Sequence, residues 1–361
     1  MQKRVVILTV AAGAIAIVCL RRWRRRSLVK ANPPQLHLVA TDMDGTFLST
    51  PQRAASHVNG ELTTRSIQMV QALTSAGVVF AIATGRPAPA LQPHVDALGS
   101  IADGRVSWDG LPCMYVISRH DPNAATVAFD PQHASSQPRC FNGAAVLLMA
   151  PSKPPVSLWQ RPLEKDVVRA VIAFAEREDL CLSYSLFDRA IARCVGPAQR
   201  ELLERFMVLE GVKQQVVSSA DELLALPPPL KIVLLVPSSP DTWAAAARDR
   251  VGGVHVVSAE MHIEFLAPGV HKGAALDWLC ERHGLPTSAA LSFGDNMNDI
   301  EMLKASGQGV AVSNARDAVK AAADLTLEWS NNEDGVARHC ERLLAEGRLQ
   351  GLLGGTKLVL V

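Results

Sequence analysis

The chain has 361 residues, of which 48% are apolar and 20% are charged, a composition typical of a globular protein with a buried core. The length indicates two domains, or one domain with a large insertion. Outside the first thirty residues the chain carries 28 basic and 35 acidic residues, and this formal charge of −7 argues against nucleic acid as the main partner. The seven cysteines have no paired spacing, which argues against a disulfide framework or a zinc site and favours a reducing compartment.

Residues 1–30 form a basic, acid-free leader around the uncharged run Val5–Leu20. Sixteen helical residues span ~24 Å, short of a bilayer core, but the following arginines can snorkel and Trp23 suits an interface. We favour a membrane anchor through residues 5–20, with the body in the cytoplasm because the stronger basic cluster follows the run. A cleaved signal peptide fits less well, since arginines follow the run. An organellar transit peptide remains an alternative, as does a soluble cytoplasmic protein.

Two carboxylates stand two residues apart behind the first predicted strand, Leu36–Thr41. Because a strand alternates its faces, Asp42 and Asp44 are expected on the same side of the chain, just past the sheet edge. Gly45 then allows a sharp turn. Crowded acids are costly without a cation, which indicates metal-assisted chemistry with a carboxylate nucleophile and a neighbouring acid/base. The alternative is a plain strand-ending turn, in which Asp and Gly are common.

A helix over Thr63–Ala76 and a second apolar strand, Val78–Ala83, complete a predicted βαβ unit with a parallel sheet. Thr84 and Gly85 follow that strand directly. A hydroxyl beside an unobstructed backbone N–H is what a phosphate oxygen requires, so this pair is a candidate phosphate site. A simple strand-to-loop turn is the alternative.

The middle of the chain differs in composition from both ends. Residues 103–138 are rich in Pro, Asp, Ser and His, and predict an irregular insertion with one strand at Met114–Ser118. Residues 145–266 predict a mixed α+β domain inserted into the α/β core. Its predicted strands are Ala145–Met149, Lys231–Val236 and Val254–Val257, and its predicted helices are Lys165–Glu178 and Gln199–Glu210. The expected order is therefore a leader at 1–30, core at 31–144, an inserted domain at 145–266, core at 267–346, and a tail at 347–361 without an assigned role.

The α/β pattern returns after residue 267. Helices are predicted over Ala274–Arg282, Asp299–Ala305 and Ala315–Ala323, and strands over Ala289–Phe293, Val310–Val312 and Leu325–Leu327.

Lys272 stands just before the first of these helices, where its charge opposes the helix dipole. This position indicates a bound anion, the alternative being an exposed lysine on a solvated first turn.

Asp295 and Asp299 open the next helix and share one of its faces. Two amides, Asn296 and Asn298, stand among them. Helix capping, which stabilises a helix by ~1 kcal/mol, explains the presence of one of these four polar side chains. A hard cation that prefers oxygen ligands, such as Mg²⁺, explains all four.

Ligands of open α/β sheets bind beyond the carboxyl ends of the strands, so these groups are expected in one cleft. Metal-assisted phosphoryl transfer needs acids that hold a metal and donors that bind an anion. The carboxylates fit the first requirement, and Thr84, Lys272 and Asn298 fit the second.

Four stretches resemble, in order and context, the motifs of the haloacid dehalogenase superfamily: DMDGTFL, ATGRP, the lysine of GVHKG, and FGDNMND. The chain is similar to its Cof-like phosphatases, whose α/β cap of the second type lies between the second and third motifs. The resemblance covers roughly residues 36–340. Further matches are Phe141–Ala144, Gly309–Ala315 and Asn332–Val336. The chain departs from the family pattern in its leader and in the long gap between Arg86 and Asn142.

The resemblance implies a Rossmann-like parallel-sheet core with an inserted α+β cap, and a role for each site residue. Asp42 would be the nucleophile that forms an aspartyl-phosphate, and Asp44 would protonate the leaving oxygen and then activate water. The phosphate ligands would be Thr84, Gly85, Lys272 and Asn298. The Mg²⁺ ligands would be the carboxylates of Asp42 and Asp295 and the backbone carbonyl of Asp44, with Asp299 in support.

The expected function is therefore Mg²⁺-dependent hydrolysis of a small phosphorylated metabolite, with a sugar phosphate as one candidate. A phosphomutase of the same fold is an alternative, and it would isomerise a sugar phosphate rather than release phosphate. A non-catalytic, membrane-tethered binding protein is another, although a scaffold needs none of these site residues.

Overall fold

The structure is a computed structural model. It describes residues 35–50, 60–86, 88–100, 145–148, 156–186, 188–210, 212–258 and 261–351. The leader, the insertion with its predicted strand Met114–Ser118, and the motif Phe141–Ala144 lie outside the described residues. Among the described helices, none combines the length and the apolar character that a membrane span requires.

Strands and helices alternate along most of the described chain. The strands are β1 Leu38–Asp42, β2 Val79–Ala83, β3 Ala145–Leu148, β4 Val156–Gln160, β5 Cys181–Ser185, β6 Ala190–Arg193, β7 Gln215–Val217, β8 Lys231–Leu235, β9 His255–Ser258, β10 His262–Leu266, β11 Ala290–Gly294, β12 Gln308–Ala311 and β13 Leu325–Thr326. The helices are α1 Thr64–Ser75, α2 Ala88–Ser100, α3 Lys165–Arg177, α4 Pro197–Glu210, α5 Ala220–Leu224, α6 Pro240–Arg250, α7 Lys272–Arg282, α8 Ile300–Ala305, α9 Asp317–Ala322 and α10 Gly335–Ala345.

The core sheet has five parallel strands in the order β13-β12-β11-β1-β2. All residues of β1, β2 and β11 are buried, as their continuous apolar sequences predict for a covered parallel sheet. Strands from the two distant core segments are therefore neighbours, with β11 beside β1. This arrangement confirms the predicted α/β fold class with a parallel-sheet core.

The second sheet, here called the cap sheet, has six strands in the order β7-β6-β5-β8-β10-β9, and all its pairings are antiparallel except β6 with β7. One face packs on α3 through Leu182, Tyr184 and Leu234. The other face packs on α4 through Val233 and Leu235. The cap sheet is thus an α+β unit whose strands lie between the two core segments. β3 and β4 form a separate antiparallel pair.

Several predicted element ends were wrong, and each difference has a local cause. The first strand was predicted from Leu36, but Leu36 instead bridges in parallel to Leu349, and β1 begins at Leu38. The predicted helix from Asp299 begins with a 3₁₀ turn, Met297–Asp299, and becomes α-helical at Ile300. Thr63 is the N-cap of α1 rather than its first helical residue, because its side chain accepts a bond from the Ser66 N–H.

The sequence analysis missed four helices (α2, α5, α6 and α10) and four of the six strands of the cap sheet (β5, β6, β7 and β10). One of these helices, α2, carries a breaking signal, because Pro93 lies inside it. The missed strands β5 and β6 are short and mix polar with apolar residues, so their burial depends on partners distant in sequence.

The start of the predicted tail belongs to the core. The Leu36 N–H donates to the Arg348 carbonyl at 2.8 Å, and Leu349 is 2% exposed. The Gly351 N–H donates to the Ala76 carbonyl, also at 2.8 Å. The boundaries of the other predicted segments stay predictions. The described cysteines, Cys181, Cys194, Cys280 and Cys340, are buried free thiols.

Candidate active site

The candidate groups meet at the carboxyl edge of the core sheet. Asp42 ends β1, Thr84 follows β2, and Asp295 follows β11. Because β11, β1 and β2 are adjacent and parallel, these three ends lie side by side. The convergence predicted from the sequence is therefore confirmed for these three positions.

Three carboxylates form a tight cluster at this edge. One carboxylate oxygen from each of Asp42, Asp295 and Asp299 lies within 4.8 Å of the others. Asp42 is 6% exposed and Asp299 is fully buried, so bulk water contributes little to their solvation. Asp299 is held by the backbone N–H groups of Asp295 and Asn296, each at 2.9 Å. Such an arrangement of oxygen ligands fits a hard divalent cation.

Lys272 is the cation that the structure places inside the cluster. It begins α7 with a 2% exposed side chain, donates to Asp299 Oδ1 at 2.6 Å, and forms an ion pair with Asp42. Burial lowers its pKa, but the charges of Asp299 and Asp42 outweigh burial and raise it, so Lys272 stays protonated. The alternative of an exposed lysine on a solvated turn is thus wrong.

One ammonium does not balance three carboxylates, of which Asp42 and Asp299 are buried and Asp295 is partly exposed. Burial and the Asp299 charge raise the pKa of Asp42 well above its ordinary value, although Lys272 opposes the shift. Burial and the same neighbouring charge raise the pKa of Asp295 to about 6. Both shifts have the same two causes, burial first and then the charge of Asp299. A divalent cation would remove the excess negative charge, and the donor set of three carboxylates fits Mg²⁺.

The Asp44 carboxylate lies outside the cluster and is held by Arg86. Arg86 Nε donates to Asp44 Oδ2 at 2.8 Å, and a terminal guanidinium nitrogen donates to Asp44 Oδ1 at 2.5 Å. This two-pronged contact fixes the plane of the carboxylate as well as its position. The Asp44 carboxylate is therefore oriented separately from the cluster of Asp42, Asp295 and Asp299.

The predicted phosphate ligands surround the same edge. Thr84 is 2% exposed, and its Oγ1 accepts a bond of 3.2 Å from the Arg86 N–H. Gly85 lies between them and is partly exposed. Asn298 is partly exposed in the 3₁₀ turn that precedes α8. Thr84 and Gly85 thus follow β2, and Asn298 follows β11, at the same edge of the core sheet. Their catalytic roles stay predictions.

The loop after β1 is tied to the second core segment by polar contacts. Gly45 has φ +75°, and a Cβ there would lie 2.7 Å from Asp295 Oδ2, so only glycine fits the turn. The next residue, Thr46, donates to Asp295 Oδ1 at 2.7 Å, and Asn314 Nδ2 donates to the Gly45 carbonyl at 2.7 Å.

Sequence reasoning gave no role to Arg86, Thr46 or Asn314, although each stands in or beside a quoted motif. Their position next to motif residues was the available signal. Their contacts reach across 42, 249 and 269 residues of chain respectively, so the partners could not be read locally.

Comparison with known proteins adds an independent observation. The sequence profile of the haloacid dehalogenase-like hydrolases matches residues 39–110 and 132–339. An Arabidopsis thaliana protein named "Endoribonuclease YBEY, chloroplastic" is 24% identical over 314 residues, which cover 84% of this chain and 46% of that protein. The Bacillus subtilis 5-amino-6-(5-phospho-D-ribitylamino)uracil phosphatase YcsE is 43% identical over 81 residues, which cover 22% of this chain and 32% of that one. The alignments thus span less than half the length of either relative.

Solved structures share the fold. TM0651 from Thermotoga maritima aligns with a TM-score of 0.63 and 20% identity over 85% of this chain and 97% of that chain. The phosphatase BT1666 from Bacteroides thetaiotaomicron aligns with a TM-score of 0.62 and 19% identity over 87% of this chain and 96% of that chain.

Proposed function

Since this chain belongs to the family of haloacid dehalogenase-like hydrolases, we propose that it is a Mg²⁺-dependent phosphomonoesterase that works through an aspartyl-phosphate on Asp42. The observation that carries this proposal is the pairing of Asp42 with Lys272 inside a cluster of three carboxylates. A buried acid beside an ammonium and excess negative charge suits a nucleophile that works only with a cation bound.

In the first step, an Asp42 oxygen attacks phosphorus while the bond from phosphorus to the leaving oxygen breaks. Lys272, Thr84 and the Gly85 N–H hold the phosphoryl oxygens, and Asp44 gives its proton to the leaving oxygen. Bound Mg²⁺ would be held by Asp42, Asp295 and the Asp44 carbonyl, with Asp299 behind them, and would neutralise negative charge on the phosphoryl group.

In the second step, Asp44 takes a proton from a water molecule that attacks the phosphorus of the aspartyl-phosphate. Inorganic phosphate leaves, and Asp42 returns as a carboxylate. The two hydrogen bonds from Arg86 orient Asp44 in both steps. The same carboxyl group faces the leaving oxygen in the first step and water in the second.

We propose a small phosphorylated metabolite of the sugar-phosphate type as the substrate. The cap sheet contacts the phosphate side of the core, which favours a small molecule enclosed between the two. YcsE is named for a phosphorylated ribityl compound, and a further structural neighbour, BT4131, is described as a sugar phosphatase.

The proposal is tested by phosphate release from a panel of sugar and polyol phosphates, with Mg²⁺ and with a chelator. We expect activity only with Mg²⁺, and a loss of about 10³-fold or more in Asp42→Asn. Asp249→Asn, at an exposed position on α6, makes the same chemical change away from the site and serves as the matched control. Full activity of Asp42→Asn would refute the assigned nucleophile. Isomerised ester without released phosphate would instead indicate a phosphomutase.

We also propose that residues 5–20 anchor the chain to a membrane with its body in the cytoplasm. The support is the uncharged run followed by five arginines within residues 21–26. Fractionation of cells that express the full chain or a version beginning at residue 32 tests this. Equal recovery of both in the soluble fraction would refute the anchor, and import into an organelle would favour a transit peptide.

A further inference from the structure

A buried lysine of the cap sheet contacts the loop that holds the phosphate ligands. Lys231 begins β8, and only 2% of its side chain is exposed. Its Nζ donates to Glu264 Oε1 at 2.7 Å and to the backbone carbonyl of Gly85 at 3.4 Å. Glu264 faces Val233, two residues along β8, so Lys231 and Glu264 are diagonal neighbours on one face of the sheet.

Stability alone does not account for this ion pair. Removing two charges from water is expensive, and apolar pairs of similar volume are often at least as stable. Burial raises the pKa of Glu264, but Lys231 and His262 outweigh burial and hold it well below its ordinary range. Glu264 is therefore ionised and holds Lys231 in place against Gly85.

The peptide group between Gly85 and Arg86 is held from both sides. Its carbonyl accepts from Lys231 of the cap sheet, and its N–H donates to Thr84 Oγ1 at 3.2 Å. The Arg86 side chain then grips Asp44 with two bonds. A single peptide group thus connects the cap sheet, a phosphate ligand and the acid/base.

We propose that Lys231 is a positioning residue for the acid/base: by holding the Gly85–Arg86 peptide, it fixes Arg86 and so the orientation of Asp44. The inference rests on the proposed phosphatase function and extends it to the cap. Glu264 keeps Lys231 in place through the ion pair between them.

The leaving group of the substrate distinguishes this role from a merely structural one. An alkoxide needs a proton from Asp44 as it departs, whereas nitrophenolate is a weak base and departs without one. The ratio kcat/KM reports only the steps up to the breaking of that bond. Lys231→Met should therefore lower kcat/KM at least ~10-fold for an alkyl phosphate and less than ~3-fold for p-nitrophenyl phosphate.

The experiment compares p-nitrophenyl phosphate with the fastest alkyl substrate among glycerol and sugar phosphates. Lys231→Met leaves the Glu264 charge buried without its partner, which destabilises the fold. The double variant Lys231→Met/Glu264→Met removes both charges, so it tests the same loss of Lys231 in a more stable protein. Lys213→Met changes an exposed lysine of the same domain and should leave kcat/KM unchanged for both esters. Asp44→Asn should show the same dependence on the leaving group as the Lys231 variants, and melting temperatures confirm folding.

Equal losses for the two esters in a folded Lys231 variant, or no loss for either, would overturn the inference while leaving the phosphatase function intact. Failure of the unaltered protein to hydrolyse any ester in the panel would refute the phosphatase function itself, and the role of Lys231 would fall with it.

Discussion

At the scale of single residues, the site is defined by unbalanced buried charge. Asp42, Asp295 and Asp299 share one ammonium, that of Lys272. An uncompensated buried carboxylate is expensive, and the raised pKa values of Asp42 and Asp295 are the consequence. The fourth acid, Asp44, is separated from this cluster by its pairing with Arg86. The residues that would bind metal and the residue that would move protons therefore respond to different neighbours.

The separation predicts a selective effect at Arg86. Arg86→Met should lower kcat/KM for a sugar phosphate about 10- to 100-fold, because a loosely held acid loses part of the ~10²–10⁴-fold that general acid catalysis supplies. Arg86→Lys keeps the charge but loses the two-pronged contact, so it should restore only part of the rate. Arg169→Met, on the exposed face of α3, is the control. Normal kinetics in Arg86→Met would contradict the role.

The pKa of Asp295 predicts how Mg²⁺ binding depends on pH. Its value of about 6 in the fold lies above its ordinary 3.8, so without metal its contribution favours folding most below about pH 4 and is lost as pH rises through about 6. Mg²⁺ binds the ionised form, and its affinity should fall about ten-fold per pH unit below 6.

The measurement is the rise in melting temperature caused by a fixed Mg²⁺ concentration at pH 5, 6 and 7. We expect a small rise at pH 5 and a clear one at pH 7. Asp295→Asn should weaken the effect at pH 7 because a carboxylate proposed to hold the metal is lost. A rise of the same size at pH 5 and pH 7 in the unaltered protein would contradict the assignment.

At the scale of elements, the site depends on close backbone approaches that glycine permits. Gly294 ends β11, and a Cβ there would lie 2.4 Å from Asp299 Cβ. Gly309 in β12 meets the backbone of α8 at a similar distance, since its Cβ would lie 2.2 Å from the Leu303 carbonyl oxygen. Helix α8 is thereby packed closely on β12 just after the turn that carries Asp299.

Gly309→Ala should consequently destabilise the protein by about 2 kcal/mol or more, because backbone rather than a flexible side chain must move. Gly196→Ala is the matched control, since its added Cβ would meet nothing within 4 Å, and its effect should stay within about 0.5 kcal/mol. Urea denaturation of both variants gives the two free energies of unfolding. Equal stabilities would show that β12 and α8 have room to separate.

At the scale of the whole molecule, the segment just before the first core strand pairs with the segment after the last helix. Leu36 and Leu349 form a parallel bridge across 313 residues of sequence, and both are almost fully buried. The two core segments also meet at β1 and β11, between which the cap sheet is inserted. The segment before β1 and the segment after α10 are therefore in direct contact in the folded core.

Leu349→Ala tests this contact. A buried leucine truncated to alanine costs about 2–5 kcal/mol, and we expect a loss in that range. Leu224→Ala, at a position 42% exposed, should cost about 1 kcal/mol at most. Thermal or urea unfolding measures both. A Leu349 variant as stable as the Leu224 variant would mean that the segment after α10 adds nothing to the core.

The sequence by itself determined the fold class, the family and the motif residues that converge. Continuous apolar runs such as Val79–Ala83 specify buried parallel strands, and such strands bring the residues after them to one edge. Local sequence was enough to name Asp42, Thr84, Lys272 and Asp295 as candidates, because each stands at a strand end or opens a helix.

Only the tertiary structure decided which groups pair with which. The contacts of Arg86 with Asp44, Thr46 with Asp295 and Lys231 with Gly85 join residues 42, 249 and 146 positions apart. No periodicity or spacing encodes such partners, because they are set by which strands become neighbours in the core sheet and by the contact of the cap sheet with the core. For the same reason four of the six strands of the cap sheet escaped prediction, since such short strands form only beside partners distant in the sequence.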